Sequence, residues 1–433
     1  MTTAPPGRAE RGWRALRPGE GLGVAWSFAY FFCLLCGYYI LRPLRDERGI
    51  QGGVQALPWV FTATLLAMLA AVPLFGWASA RLPRRRLLPL VYGFFLLNLL
   101  AFFAVFRAGV APEWTARAFF VWVSVYNLFV VSVFWSFMVD LFRREQAQRL
   151  FGFIAAGGSA GALAGPALTA ALAQPLGAVN LLPVSAAFLV LATYCVVRLL
   201  AWGAGRGGGS QQAGAPVGGS AWGGVSEIAG SPYLLGIVAY MILYTVLSTF
   251  LYLQQARLVA DAGMASESRT SLFAYMDLAV NLLALAGQTF LAARLIRRWG
   301  VAVALALVPV LTVAGFGVLA LYPVLAAVVG FQVLRRAADF AIARPARELL
   351  YTVLDREAKY KAKNFIDTVV YRSGDAVGGW VYTGLKALLG LGLAGIAWVA
   401  VPLAALWLAL SVALGRRQAA LSRQEDDHAE TGP

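Results

Sequence analysis

Arg335, Arg336, Asp339, Asp367, Arg372 and Asp375 fall within residues 334–380, where the hydropathy pattern predicts two membrane-spanning helices. An Arg or Asp at the centre of a span costs roughly 2.5 to 3.5 kcal/mol on insertion scales, so each needs a counter-charge, water or a ligand. The chemistry open to this set is ion pairing and anion recognition. A guanidinium keeps its charge and offers a planar fork of donors that matches phosphate and carboxylate. Arg336 with Asp339, and Arg372 with Asp375, are spaced i, i+3 and are expected to meet on one helical face. Two readings stay open: an ion-pair network that locks the two helices together, or arginines that hold an anion which competes with the aspartates. Asp277, in a separate apolar run, is a further interior charge.

A second charged group closes the first apolar run. GYYILRPLRDERG, residues 37–49, places Arg42, Arg45, Asp46 and Arg48, with Glu47 among them, at its predicted outer end. They read as an anion entrance or outer gate, or equally as an interfacial cluster whose side chains snorkel to water.

The elements that must position these residues follow from composition. The chain has 433 residues, 60% hydrophobic and only 13% charged, with a mean hydropathy of +0.70. That is far too apolar for a soluble domain and predicts an all-α polytopic membrane protein. The net charge of +15 is assigned to loops that hold the cytoplasmic side, not to nucleic-acid binding. Cys33, Cys36 and Cys195 lie in apolar runs and read as buried thiols. There is no G-x-x-x-x-G-K-[ST] phosphate loop, and the single histidine, His428, sits in the polar tail. No catalytic triad or metal-ligand cluster is visible, so neither enzyme activity, nor a cofactor, nor a metal site is expected. Asp277, Asp339, Asp367 and Asp375 remain as conceivable proton carriers.

Spans are predicted near residues 22–41, 55–80, 88–106, 117–139, 151–173 and 178–198, then 231–253, 271–291, 301–320, 322–343, 364–385 and 393–414. The first is read as an uncleaved helix. The expected organisation is an N-terminal segment (1–21), a six-helix bundle (22–200), a flexible Gly- and Ser-rich linker (201–229), a second six-helix bundle (230–415) and a polar tail (416–433). The predicted inner segments carry 25 Lys and Arg against 8 in the outer loops, which puts both termini in the cytoplasm. In this register Arg336 and Arg372 lie roughly 11 to 12 Å from the inner boundary at 1.5 Å per residue.

Twelve spans split six and six by a cytoplasmic linker, with GWASARLPRRRLL (residues 76–88) after the second, resemble the major facilitator superfamily. That loop is a degenerate match to the signature G-x-L-A-D-R-x-G-R-R-x-x-L, with Ala80 in place of the Asp and Pro83 in place of the second Gly. GALAGP, with Gly161, Gly165 and Pro166, is similar to the antiporter-associated G-x-x-x-G-P, or else is close packing between helices. Such a fold turns the eighth, tenth and eleventh spans, which hold the interior charges, towards a central cavity.

YYILRPLRDERG (38–49), FWSFMVDLFRREQAQRLFGFIAAGGSAGALAGP (134–166) and ARPARELLYTVLDREAKYKAKNFIDTVVYRSGDAVGGW (343–380) together resemble the bacterial branch of the ATP/ADP translocase family. The resemblance implies exchange of a nucleotide for a nucleotide or phosphate. The chain departs from that pattern in having no interior lysine and in Arg45-Asp46-Glu47-Arg48 at the end of the first span, so other organic anions stay open. The expected protein is a secondary transporter of the bacterial inner membrane, exchanging an organic anion by alternating access, with the lipid bilayer and a small-molecule substrate as partners and no oligomer required. The alternatives are a proton-coupled exporter of drugs or metabolites, and a non-transporting membrane scaffold or sensor.

Overall fold

The computed structural model describes Arg17, residues 19–204 and residues 227–430. Most of the expected N-terminal segment and of the linker therefore lies outside the described residues. Within them the backbone forms twelve long helical runs and no strand. α1 is Gly21–Gln51, α2 Leu57–Arg81, α3 Arg84–Ala108, α4 Pro112–Leu141, α5 Arg144–Leu176 and α6 Leu181–Ala204.

α7 is Pro232–Asp261, and α8 begins as Ser266–Gly287. α8 continues through a π-helical turn at Gln288–Ala292 until Gly300, whose φ of 80° breaks the helix. Only Gly holds that φ without steric cost. α9 covers residues 301–321. α10 is Leu325–Ala338, a π turn at Asp339–Ala343, then Arg344–Leu350. α11 is Arg356–Phe365, a π turn at Ile366–Val370, then Tyr371–Leu389. α12, Leu393–Glu430, carries helix on through most of the polar tail. By length and composition nine of the described helices can cross a membrane, α8 and α9 counting as one. The two outside that set are α10 and α11, the runs that carry the charges and the π turns.

The described residues gather into two compact units. The first holds α1 as far as Glu47, the chain from Ala70 through α6, and Ser266–Tyr275. The second holds Arg48–Leu69, α7, and everything from Met276 onward.

In the first unit α1 is the seam. Tyr30 is fully buried and shares a hydrogen bond with the Tyr92 hydroxyl, while Phe31 stacks on Phe134 at 4.0 Å between ring centroids. α5 lies against α1 backbone to backbone: a Cβ on Gly161 would collide with the Phe32 carbonyl and the Cys36 amide, and one on Gly165 with the Cys36 carbonyl. The GALAGP stretch is thus a close-packing surface. Ser185 Oγ donates to the Gly37 carbonyl at 3.0 Å and ties α6 to α1. Cys33, Cys36 and Cys195 are buried free thiols. At the start of α1, Glu20 accepts from Arg149 Nη2 at 3.0 Å and Gln146 Nε2 at 2.9 Å. Burial pushes its carboxyl up, but the bonds from Gln146, the Arg17 amide and Arg149 outweigh burial and hold it below the usual Glu range.

The second unit is built around α7. Trp407 of α12 is fully buried against the Tyr240 and Tyr244 rings at 5.5 and 5.8 Å. α11 approaches α7 through glycines: a Cβ on Gly374 would overlap Thr245, and one on Gly378 would lie 3.0 Å from the Val246 backbone. This closeness brings Tyr371 to 6.1 Å from Tyr244, ring to ring. The charged stretches of α10 and α11 therefore both border the middle of α7.

Candidate functional site

The site lies in the second unit, where α7, α8, α10 and α11 each supply polar side chains to an apolar surrounding. Arg335 and Arg336 close the first segment of α10, and Asp339 opens its π turn. A π turn widens the helix and displaces one residue from the regular ladder, which is why such turns recur at functional sites. Here Gln288, first residue of the α8 π turn, donates its Nε2–H to the Phe340 carbonyl inside the α10 π turn at 2.9 Å. The irregular turns of two helices are stapled together, and a Cβ on Gly287 would lie 2.8 Å from Ala341 Cβ.

The expected i, i+3 pairing of Arg336 with Asp339 is not what forms. Arg336 Nη2 donates to Asp277 Oδ1 of α8 at 2.7 Å, with side-chain exposures of 13% and 2%. Asp339, 2% exposed, instead accepts from Tyr244 Oη at 3.0 Å and from Arg344 Nε at 3.1 Å. The cause is the π turn, which carries Asp339 to α7 and puts Arg344 five residues on within reach. Arg372 and Asp375 do pair on one face of α11 at 3.4 Å, and both are partly open, 30% and 23% exposed. Asp367 is exposed at the α11 π turn, with Arg347 and Lys363 as its neighbouring cations, and is not drawn into the cluster.

Arg335 stands apart. It is 4% exposed, its Nη1 donates to Ser248 Oγ at 2.8 Å, and its guanidinium lies 5.7 Å from the Tyr244 ring. The Ser248 hydroxyl in turn donates to the Tyr244 carbonyl at 2.6 Å. No hydrogen bond reaches Arg335 Nε, and among the described residues no carboxylate lies within salt-bridge distance of this arginine. A buried cation held by a hydroxyl and a ring face keeps most of its charge available to an anion. Three rings, Tyr244, Tyr371 and Phe340, border these charges, with Arg336 and Arg344 over Phe340 and Arg372 over Tyr371.

The residues 37–49 group is built differently. Arg45 Nη2 pairs with Asp46 at 2.7 Å and packs over the Phe120 ring at 4.8 Å, and Arg42 lies over Tyr39 at 5.7 Å. Arg48 is buried and bonds Gln51. Glu47 is fully buried and pairs with Arg269 Nη2 of α8 at 2.9 Å. Sequence reasoning missed Arg269, Arg344, Tyr244 and Ser248 as partners. Each is a common residue type on a long apolar helix or in a charged loop, and only the fold selects it. Among the described residues no group of His, Cys, Asp or Glu is placed to hold a metal ion.

Twelve long helices in a membrane-spanning chain, with ionisable side chains gathered on interrupted helices, define a solute transporter as the class. The chain belongs to the major facilitator superfamily, whose family model matches residues 26–338. It is a membrane transporter and not an enzyme. Solved structures similar to it are a nucleoside transporter, NupG (12% identity, 92% of this chain and 99% of that one, TM-score 0.59), and a POT family transporter in complex with 5-aminolevulinic acid (12%, 93% and 96%, 0.62). A bacterial homologue of the iron transporter ferroportin in the inward-facing state is also similar (13%, 92% and 98%, 0.63). At these identities the likeness concerns the fold. No curated protein matches the chain.

Proposed function

We propose that this transporter works by alternating access and exchanges an organic anion, a nucleotide or another phosphorylated compound, across the bacterial inner membrane with both termini in the cytoplasm. The observation that carries the reading is Arg335, a 4%-exposed guanidinium with a hydroxyl and an aromatic face for neighbours and, among the described residues, no carboxylate within salt-bridge distance. The resemblance of three segments to the bacterial branch of the ATP/ADP translocase family supports the same substrate class. The residues assigned to substrate are Arg335, Arg336 and Arg372. Asp277, Asp339 and Asp375 hold or release these and neighbouring cations as the anion arrives and leaves. Asp367 is kept as an approach group at the inner end of α11. Arg42, Arg45, Asp46 and Arg48 are proposed as the outer entrance, and the six-helix halves 22–200 and 230–415 as the parts that move.

The test is a thermal-shift screen of the purified protein against nucleotides, phosphate, sugar phosphates and dicarboxylates, repeated on Arg335→Gln and Arg336→Gln. A ligand at 100 times its dissociation constant stabilises the native state by about 2.7 kcal/mol. A phosphorylated compound is expected to raise the melting temperature of the wild type and not of Arg335→Gln. If no anion shifts the wild type, the arginines are structural.

A second reading, proton-coupled export, is favoured by Asp277, a carboxylate 2% exposed that pairs with Arg336 inside the apolar surrounding. It requires transport to collapse without a pH gradient and in Asp277→Asn. A scaffold or sensor, by contrast, should tolerate the exchange of Arg336 with Asp277.

A further inference from the structure

Gln332 precedes Arg335 by three residues and Arg336 by four on α10, which sets all three on neighbouring positions of one side of the helix. It is 5% exposed, and its Oε1 makes no hydrogen bond among the described residues. Arg335, 4% exposed, has its Nε in the same condition. A buried polar atom without a partner destabilises the fold, and an apolar side chain of similar volume would remove that cost. The two residues that carry these atoms, an acceptor and a charged donor, are about 4.5 Å apart in rise along the axis of a helix that also carries the arginines proposed to hold the anion. Elsewhere on the same helix the polar groups are matched: Arg336 by Asp277, and Asp339 by Tyr244 and Arg344.

We propose that Gln332 is a substrate-binding residue, whose carboxamide takes a hydroxyl group carried by the same anion that Arg335 holds. The inference rests on the organic-anion reading above and narrows it. Arg335 takes the charge and Gln332 reads an uncharged group a few bonds away. The substrate class is then a hydroxylated organic anion, of the sugar-phosphate or nucleotide kind, and neither inorganic phosphate nor an alkyl phosphate satisfies both residues. A hydroxyl both donates and accepts, so it suits the amide in either orientation.

The experiment uses the full chain in detergent and two probes of equal charge and carbon skeleton, glycerol 3-phosphate and propyl phosphate. Binding is measured by calorimetry to the wild type, Gln332→Leu, Gln332→Met and Arg335→Gln. The wild type is expected to prefer glycerol phosphate by roughly tenfold, the worth of one well-made buried hydrogen bond. Gln332→Leu and Gln332→Met bring the two probes to within about twofold by weakening glycerol phosphate alone. Arg335→Gln weakens both probes together. Without ligand, both Gln332 variants melt at or above the wild-type temperature, because no protein bond is lost. Equal binding of the two probes by the wild type, an unchanged preference in the Gln332 variants, or a lowered melting temperature overturns the assignment and leaves the anion reading standing. If neither probe binds the wild type and Arg335→Gln changes nothing, the anion reading fails, and the Gln332 assignment with it.

Discussion

Replacing Asp277 or Arg336 tests which carboxylate neutralises Arg336. The two groups meet at 2.7 Å with 2% and 13% side-chain exposure. Charge centres about 4 Å apart attract by about 4 kcal/mol at an effective dielectric of about 20. Removing one partner leaves the other buried and uncompensated, which costs about 3 to 5 kcal/mol, and the residual exposure of Arg336 places the expected loss near the lower end. Asp277→Asn and Arg336→Gln are each expected to destabilise the protein by about 3 kcal/mol. The double variant should lose clearly less than the sum, giving a coupling of about 2 kcal/mol. Arg336 with Asp339, whose carboxylate is taken by Tyr244 and Arg344, should couple by no more than about 0.5 kcal/mol. Unfolding in mixed micelles by titration with a denaturing detergent, followed by tryptophan fluorescence, reads all the corners of both cycles. A coupling to Asp339 above about 1 kcal/mol together with none to Asp277 would refute the pairing and restore the i, i+3 arrangement.

Gly161→Leu should be among the most damaging changes, because its side chain would meet the Phe32 carbonyl and the Cys36 amide, and backbone cannot yield as a side-chain tip can. A loss of about 3 kcal/mol or more, or failure to accumulate in the membrane, is expected, and a wild-type melting curve would count against the seam. Gln288→Leu removes the donor to the Phe340 carbonyl. It should cost about 1 kcal/mol and speed amide exchange over Asp339–Ala343, read by hydrogen–deuterium exchange. Glu20, held below the ordinary Glu range, stabilises the fold fully above about pH 4.3 and loses that contribution as the pH falls through its lowered value. Acid titration of the wild type against Glu20→Gln should show the two converging at low pH, and a constant gap would exclude the linkage.

Some of the site was legible because charge in an apolar run is rare. Arg335, Arg336, Arg372, Asp277, Asp339 and Asp375 announced themselves by their surroundings alone, and the Arg372 to Asp375 pair follows from helical spacing. The Arg336 to Asp339 expectation failed because it assumed an unbroken α-helix. The π turn at Asp339–Ala343 has no sequence signature in hydropathy, and it moves Asp339 off the face where the i, i+3 rule places it. Asp367 was included because it falls inside a predicted span, and it lies exposed at the α11 π turn.

By itself the sequence determined the membrane class, the number of long helices and the superfamily, because span length and hydropathy are local quantities summed along the chain. It also determined that α10 and α11 carry the ionisable groups. Only the tertiary structure decided the partners: that Asp277 of α8 takes Arg336, that Arg344 and Tyr244 share Asp339, and that Arg335 is left with Ser248 and a ring. Those choices depend on helix rotation and on how near glycines let α11 approach α7. Both are set by packing between residues far apart in the chain, which no local pattern encodes.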